Sequence, residues 1–283
     1  SGGPRRSVSG LNLKQVAAEL GVHYMTAYRY VRQGRLPARM VDGGWVVLPR
    51  HLDEFRHGDA SPSAAPPDAA SRLRPLLEAG DETAASRLLD QVLVAGGTPE
   101  RCLTELLPAA LVAPPDGDDV ALARSYVATA TATRLVDRLA ARHRRPGRTR
   151  GTVLLAGATG ELHLLPLGTV AALTRLAGYR TVELGIDVPP EVIAAATDVA
   201  PLLAVGIGIT TVASVDAATE AVAGIRRRHP DLPVVVGGQA VRKPHVAAAV
   251  GTPWWAPDGP GMVGLLDGLA ADRTRRRRAS RAR

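Results

Sequence analysis

Between residues 151 and 271, apolar β-branched runs alternate with stretches of helical spacing, and few folds accept that alternation. The runs at 152–156, 181–184, 203–209, 233–236 and 253–255 read as strands, and helices fit between them at 167–177, 190–197, 214–228 and 245–250. Strands joined through helices pair in parallel, because each crossover carries the chain back to the same end of the sheet. The spacing therefore predicts a doubly wound α/β sheet with a ligand crevice at the carboxyl ends of its strands. The loop after the first strand contains no Gly-x-Gly-x-x-Gly, so a dinucleotide fingerprint is absent. Trp254-Trp255 reads as strand packing or as one wall of the crevice. His143, His229 and His245 lie in or near polar, basic stretches and read as solvated.

The rest of the chain divides by composition. With 283 residues there is room for about two domains of ordinary size. Apolar residues make up 46% of it and aromatics only 3%, so its cores must be rich in Ala, Val and Leu. A single cysteine, Cys102, excludes a disulfide framework and any multi-cysteine zinc site. No apolar run is long enough to span a membrane and no signal-peptide core is visible, so a soluble cytoplasmic protein is expected. Residues 58–68 are small, polar and Pro-rich, the composition of a linker. Residues 69–145 read as consecutive helices, at 81–95, 98–112 and 118–143 among others. Asp81 serves as one cap, and Thr98-Pro99-Glu100 as cap and helix-initial proline. Their apolar faces predict a four-helix bundle, either a lid or oligomer face or plain domain packing.

Residues 11–57 form a compact basic unit. Asn12 is a good N-cap for a helix beginning at Leu13, with Val16 and Ala17 inward, and Gly21-Val22 breaks it. A second helix follows from Tyr24, with Ala27, Tyr30 and Val31 inward. Two apolar runs flank Asp42-Gly43-Gly44, which suits a tight hairpin, and Pro49 starts a short helix carrying Leu52 and Phe55. The run from Gly21 through Gly43-Gly44-Trp45 to Phe55 resembles the excisionase/MerR-like winged helix-turn-helix family. That resemblance implies duplex DNA as partner, with Tyr24, Thr26, Arg29, Arg32 and Arg39 reaching bases and phosphates. A helical hairpin used for protein contacts is the other reading, and Tyr28 and Tyr30 read as core.

The loop Gly160-Glu161-Leu162-His163-Leu164-Leu165-Pro166-Leu167-Gly168 is similar to the Asp-x-His-x-x-Gly of the cobalamin-binding family, with Glu161 in place of Asp. The resemblance implies a corrinoid cofactor with His163 as the cobalt ligand and a carboxylate behind it, either Glu161 or a farther group. It implies a nucleotide tail lying along Gly208, Thr210, Gly237 and Gly238. Pro166 replaces the family's glycine, and Gly208 replaces a serine that bonds the nucleotide base. In the light-sensing cobalamin regulators of carotenoid genes, a Trp and a Glu-His pair cap the adenosyl group. Pro115, Ser125 and Tyr126 occupy those places here, so an adenosyl cap is not expected. Cobalt ligation, a cobalamin-free fold kept as a scaffold, and another ligand in the same crevice all remain open.

Net charge is +8, unevenly placed. Residues 1–57 carry nine Lys/Arg against four acids, and residues 273–283 carry seven Arg and no acid. The remainder has 19 basic and 23 acidic residues, so it is mildly acidic. Basic ends suggest contact with a polyanion, or for residues 273–283 a solvated arm. No hydrolytic triad, P-loop or catalytic carboxylate pair is visible, so no enzyme is expected. The function that emerges is a DNA-binding transcription regulator, assembling as a homo-oligomer under control of a corrinoid or similarly sized ligand. A ligand-independent regulator and a corrinoid methyl carrier are the alternatives.

Overall fold

The computed structural model describes residues 10–20, 24–32, 36, 38–41, 44–49, 51–52, 68–112, 118–143, 147–241 and 244–281. The expected break at Gly21-Val22, the turn residues Asp42 and Gly43, Phe55 and all of the linker but Asp68 lie outside them. In the first unit, β1 (Leu11–Asn12) precedes α1 (Leu13–Glu19) and α2 (Tyr24–Arg32); β2 (Arg39–Val41) and β3 (Gly44–Val47) follow. Asn12 closes a reciprocal cap: its side chain accepts from the Gln15 amide at 3.0 Å, and the Gln15 side chain accepts from the Asn12 amide at 2.9 Å. β3 pairs antiparallel with β2 and also with β1, a short strand that the sequence reading missed. Val16, Ala27, Val31, Val47 and Leu52 are buried together, and Tyr28 and Tyr30 pack against them.

The middle of the chain is helical, as its pattern requires. It comprises α3 (Ala69–Glu78), α4 (Glu82–Val94), α5 (Pro99–Arg101), a π-helical turn at Cys102–Leu106, α6 (Leu107–Ala110) and α7 (Asp119–Arg142). The expected caps Asp81 and Thr98 form, each accepting from a backbone amide three residues on, and Asp118 caps α7 in the same way. The helices close around Leu73, Leu77, Leu89, Leu103 and Leu135.

The last domain is a five-stranded, wholly parallel sheet. Its elements are β4 (Thr152–Ala158), α8 (Leu164–Leu176), β5 (Arg180–Val188), α9 (Pro190–Ala196), β6 (Ala204–Gly208), α10 (Val215–Arg228), β7 (Val234–Gly237), α11 (Pro244–Ala249), β8 (Trp254–Ala256) and α12 (Gly259–Arg281). The spatial order is β5-β4-β6-β7-β8. Order reverses between β4 and β6, which is where a doubly wound sheet opens its crevice. α8 belongs to two cores at once, because Ala172, Leu173 and Leu176 are buried among the leucines of the helical segment. Arg175 on the same helix pairs with Asp137 of α7 at 2.8 Å and with Glu183 of β5.

Two features differ from the sequence reading. β5 runs past 184 to Val188 through an irregular register against β4. The arginine run at 273–283, read as an arm beyond the last domain, continues α12 instead and is helical through Arg281. Gly259, Gly261, Gly264 and Gly268 hide that helix, each costing about 1 kcal/mol relative to Ala in isolation. Burial of Met262 and Leu266, one turn apart against the sheet, overrides the cost. Leu266→Ala should therefore lower stability by about 2–5 kcal/mol, the usual range for emptying a fully buried leucine site. Urea unfolding of the full chain measures it, and a loss within error of zero would mean that α12 does not hold the sheet.

Candidate functional site

The loops after β4 and β6 meet at the reversal of strand order. Glu161, in the first loop, turns its carboxylate inward, with 1% of the residue exposed. It can do so because β4 presents Gly157 there; a Cβ at that position would stand 2.9 Å from the Glu161 side chain. Four donors converge on the carboxylate. Oε1 accepts from the His163 amide at 2.8 Å and from His163 Nδ1 at 2.8 Å. Oε2 accepts from the Thr210 amide and the Thr210 hydroxyl, each at 2.5 Å. Burial by itself pushes this carboxyl up, but the Thr210 hydroxyl, the two amides and the imidazole outweigh it. The group is held below the usual carboxylate range.

An ionised carboxylate only accepts, so the proton between it and His163 sits on Nδ1. The neutral imidazole is thereby held as the tautomer with a bare Nε2, and the side chain is 57% exposed. Asp187, in β5, completes the cradle. It adopts φ 54°, accepts from the Gly160 amide at 2.9 Å and donates its own amide to the Glu161 carbonyl at 3.1 Å. No sequence signal pointed to Asp187 or Gly157.

Beside His163 lies a cavity of about 620 Å³. Leu155, Gly206, Gly208 and Val235 of the sheet line one side, and Leu167, Val170 and Leu173 of α8 another. Leu103, Leu107 and Leu111 of the helical segment reach it from above. Gly237 and Gly238 also line it, and Gly238 has no alternative: its φ is +119°, and a Cβ would stand 2.4 Å from the Ile209 carbonyl oxygen. Most of the lining is apolar, and Thr210, Gln239 and Asp258 join His163 among its polar residues.

Of the residues the sequence singled out, Glu161, His163, Gly208, Thr210, Gly237 and Gly238 share this cavity. Gly160 stands outside its lining and shapes the turn at φ +85°. Gly168 also stands outside it, within α8, and a Cβ there would meet nothing within 4 Å. Pro166, in the place of the family's glycine, belongs to a helix and not to the loop. It is the third residue of α8, where an N–H would have had no intrahelical partner to lose. Ser125 and Tyr126 do not line the cavity, and Tyr126 is 72% exposed; Pro115 lies outside the described residues.

Comparison with known proteins bears on this geometry directly. Residues 151–250 match the B12 binding domain family. Residues 11–58 match a helix-turn-helix domain. No curated protein matches the chain. The fold is similar to that of a monomethylamine corrinoid protein from Methanosarcina barkeri, at 16% identity and a TM-score of 0.56 over 69% of this chain and 94% of that one. A cobalamin-binding protein from Desulfitobacterium hafniense also aligns, at 19% identity and a TM-score of 0.40 over 71% and 98% of the two chains. So does a methanol:cobalamin methyltransferase complex from Methanosarcina barkeri, at 21% identity and a TM-score of 0.41 over 76% and 89%. The first of these shows a shared fold over more of the chain than the B12 binding domain match alone covers. Among the described residues, no helix is long and apolar enough to cross a membrane.

In the helix-turn-helix domain, Tyr24 opens α2 and is 42% exposed. Thr26, Arg29 and Arg32 lie on α2 and Arg39 opens β2, but their side chains fall outside the described residues. In the B12 binding domain, Thr210 lines the cavity and its hydroxyl bonds the Glu161 carboxylate. Thr210→Val should cost about 1.5–3 kcal/mol, because the buried charge loses a hydroxyl donor, and Thr210→Ser should recover most of it. Denaturant unfolding of the two variants checks this. Equal losses from both would place the effect in packing rather than in the hydrogen bond.

Proposed function

We propose that this protein is a DNA-binding transcription regulator whose B12 binding domain senses a corrinoid. The observation that carries the reading is the His163 imidazole, presented with Nε2 bare and Nδ1 held by a buried carboxylate, in a chain that also has a helix-turn-helix domain. One imidazole is too few donors for a bare metal ion. It suits a metal whose other positions are filled by a macrocycle of its own, and the carboxylate behind it strengthens the nitrogen as a ligand. The residues present fit such a group: His163 would hold the cobalt, and the glycine-lined cavity would receive the remainder. A corrinoid, when bound, would supply a cobalt centre able to exchange ligands.

The chain's own part is to convert occupancy into a change of shape. His163 is followed at once by α8, whose Leu165, Ala172, Leu173 and Leu176 pack into the core of the helical segment. A shift of His163 would pull on the start of that helix and so on the segment above it. In this reading the helical segment changes its self-association, and paired helix-turn-helix domains gain or lose a correctly spaced operator. Solubility in the cytoplasm and the absence of a catalysed reaction belong to the same proposal. A methyl-carrier role draws support from the fold shared with the monomethylamine corrinoid protein. It ranks second, because a methyl carrier has no use for a DNA reader.

Hydroxocobalamin added to the purified protein should give the absorbance of a histidine-ligated cobalt, and His163→Ala should abolish it together with most of the affinity. No binding of any cobalamin form would leave the domain a scaffold. The roof around Leu103, Leu107 and Leu111 is otherwise apolar, and its one hydroxyl, that of Thr104, already donates to the Glu100 carbonyl at 3.0 Å. Isothermal titration should accordingly show no marked preference for adenosyl- over methyl- or hydroxocobalamin. For the DNA side, Arg29→Ala should cost about 1–3 kcal/mol of operator affinity if that side chain reads a base edge. Electrophoretic mobility shifts on an operator selected from random duplexes measure it, and unchanged affinity would remove Arg29 from the interface.

A further inference from the structure

Seven arginines and no acid fall between residues 273 and 283, and the structure changes what they can do. Six of them, from Arg273 to Arg281, are carried by α12, and α12 is clamped to the start of the sheet. Tyr179 donates its hydroxyl to Asp267 at 2.6 Å, Arg150 pairs with the same carboxylate at 2.6 Å, and the Arg150 guanidinium lies 4.8 Å from the centre of the Tyr179 ring. One turn and a half further on, Arg273 donates to the Arg150 carbonyl at 3.3 Å. Beyond that clamp, Arg275 pairs with Asp272 within the helix, and Arg276 is exposed without an ion-pair partner among the described residues. Arg148 and Arg180 stand at the same end of the sheet. Arg148 comes two residues before Arg150, and Arg180 opens β5 opposite Thr152. Both are exposed, and neither side chain has an ion-pair partner among the described residues.

One or two cations in a last helical turn complement the helix dipole. Six between Arg273 and Arg281 exceed that need and repel one another. Eight residue steps of α-helix span about 12 Å, so the run sets a positive charge about every 2 Å, close to the one negative charge per about 1.7 Å along duplex DNA. The ligand cavity opens at the carboxyl ends of the strands and these arginines sit at the amino ends, separated by the length of β4, roughly 20 Å. Both ends of the domain are thus available at once.

We propose that the arginine-bearing turns of α12, with Arg148 and Arg180 beside them, form a second contact surface for duplex DNA, carried by the B12 binding domain. It engages phosphates and reads no sequence. The surface stands independently of the helix-turn-helix reading. Three full-length variants test it by fluorescence anisotropy against a mixed-sequence duplex over a range of salt: Arg275→Gln/Arg276→Gln/Arg277→Gln/Arg278→Gln, the same four positions changed to Lys, and Arg29→Ala/Arg32→Ala. The Gln protein should keep its helix content by circular dichroism and flatten the log affinity against log salt slope by about 3–4, while the Lys protein keeps the parent slope. An unchanged slope in the Gln protein would overturn the proposal, as would an equal flattening in the Lys protein. If the Arg29/Arg32 variant binds as the parent does while the Gln protein loses its slope, the surface stands and the helix-turn-helix reading fails. Co-sedimentation with phosphatidylserine vesicles that depends on the four arginines, with the duplex slope unmoved, would assign the surface to a lipid instead and so overturn it.

Discussion

A carboxylate driven into a protein interior must be met by donors or it destabilises the fold by several kcal/mol. Much of the last domain is arranged around one such charge, that of Glu161. Its four donors come from two loops that are 49 residues apart in sequence, so satisfying the charge also fixes the distance between the ends of β4 and β6. The third neighbouring strand is drawn in through Asp187, whose amide meets the Glu161 carbonyl. Gly157 leaves the space in which the side chain lies. The crevice is therefore not merely where a doubly wound sheet happens to open. Its rim is tied together by the group that also sets the tautomer of His163.

The same histidine stands directly before α8, a helix with two allegiances. One face of α8 covers the sheet through Leu167 and Ala171, and the other joins the core of the helical segment through Leu173 and Leu176. Closely packed interiors do not absorb a shift gradually; they transmit it or repack. A small movement at His163 thus has a defined path into the helices above, and the π-helical turn at Cys102–Leu106 brings Leu103 to the cavity from that side. At the other end of the strands, Asp267 and Arg150 bind the last helix to the sheet. One domain presents two chemically opposite ends, an apolar crevice and a basic edge, on a sheet rigid enough to keep them apart.

Much of this was legible in the sequence, and for local reasons. Strands and helices of the sheet domain follow from period and from β-branched runs, and all five strands lie within a few residues of where that pattern puts them. Asn12, Asp81 and Thr98 cap helices because a short polar side chain before a helical run has little else to do. The loop carrying Glu161 and His163, the diglycine after β7 and the basic character of both ends could be read directly. What failed also failed for a physical reason. α12 is poor in helix-forming residues in its first turns, and only burial of Met262 and Leu266 makes it a helix. Gly168 looked like part of a motif, yet no neighbour crowds it.

The sequence alone determined the order of most elements, the presence of an imidazole and a carboxylate two residues apart, and the placement of charge along the chain. These depend on neighbours in sequence and on composition, which local periodicity records. Tertiary structure alone decided that Thr210 answers Glu161, that Gly157 must lack a side chain, that Asp187 closes the cradle, and that Leu103 and Leu107 roof the cavity. It also turned the arginine run from an arm into a helix fixed to the sheet. Each of these rests on which strands lie side by side and which faces are buried against one another. Burial and strand order are settled between residues tens of positions apart, where no local period carries the information.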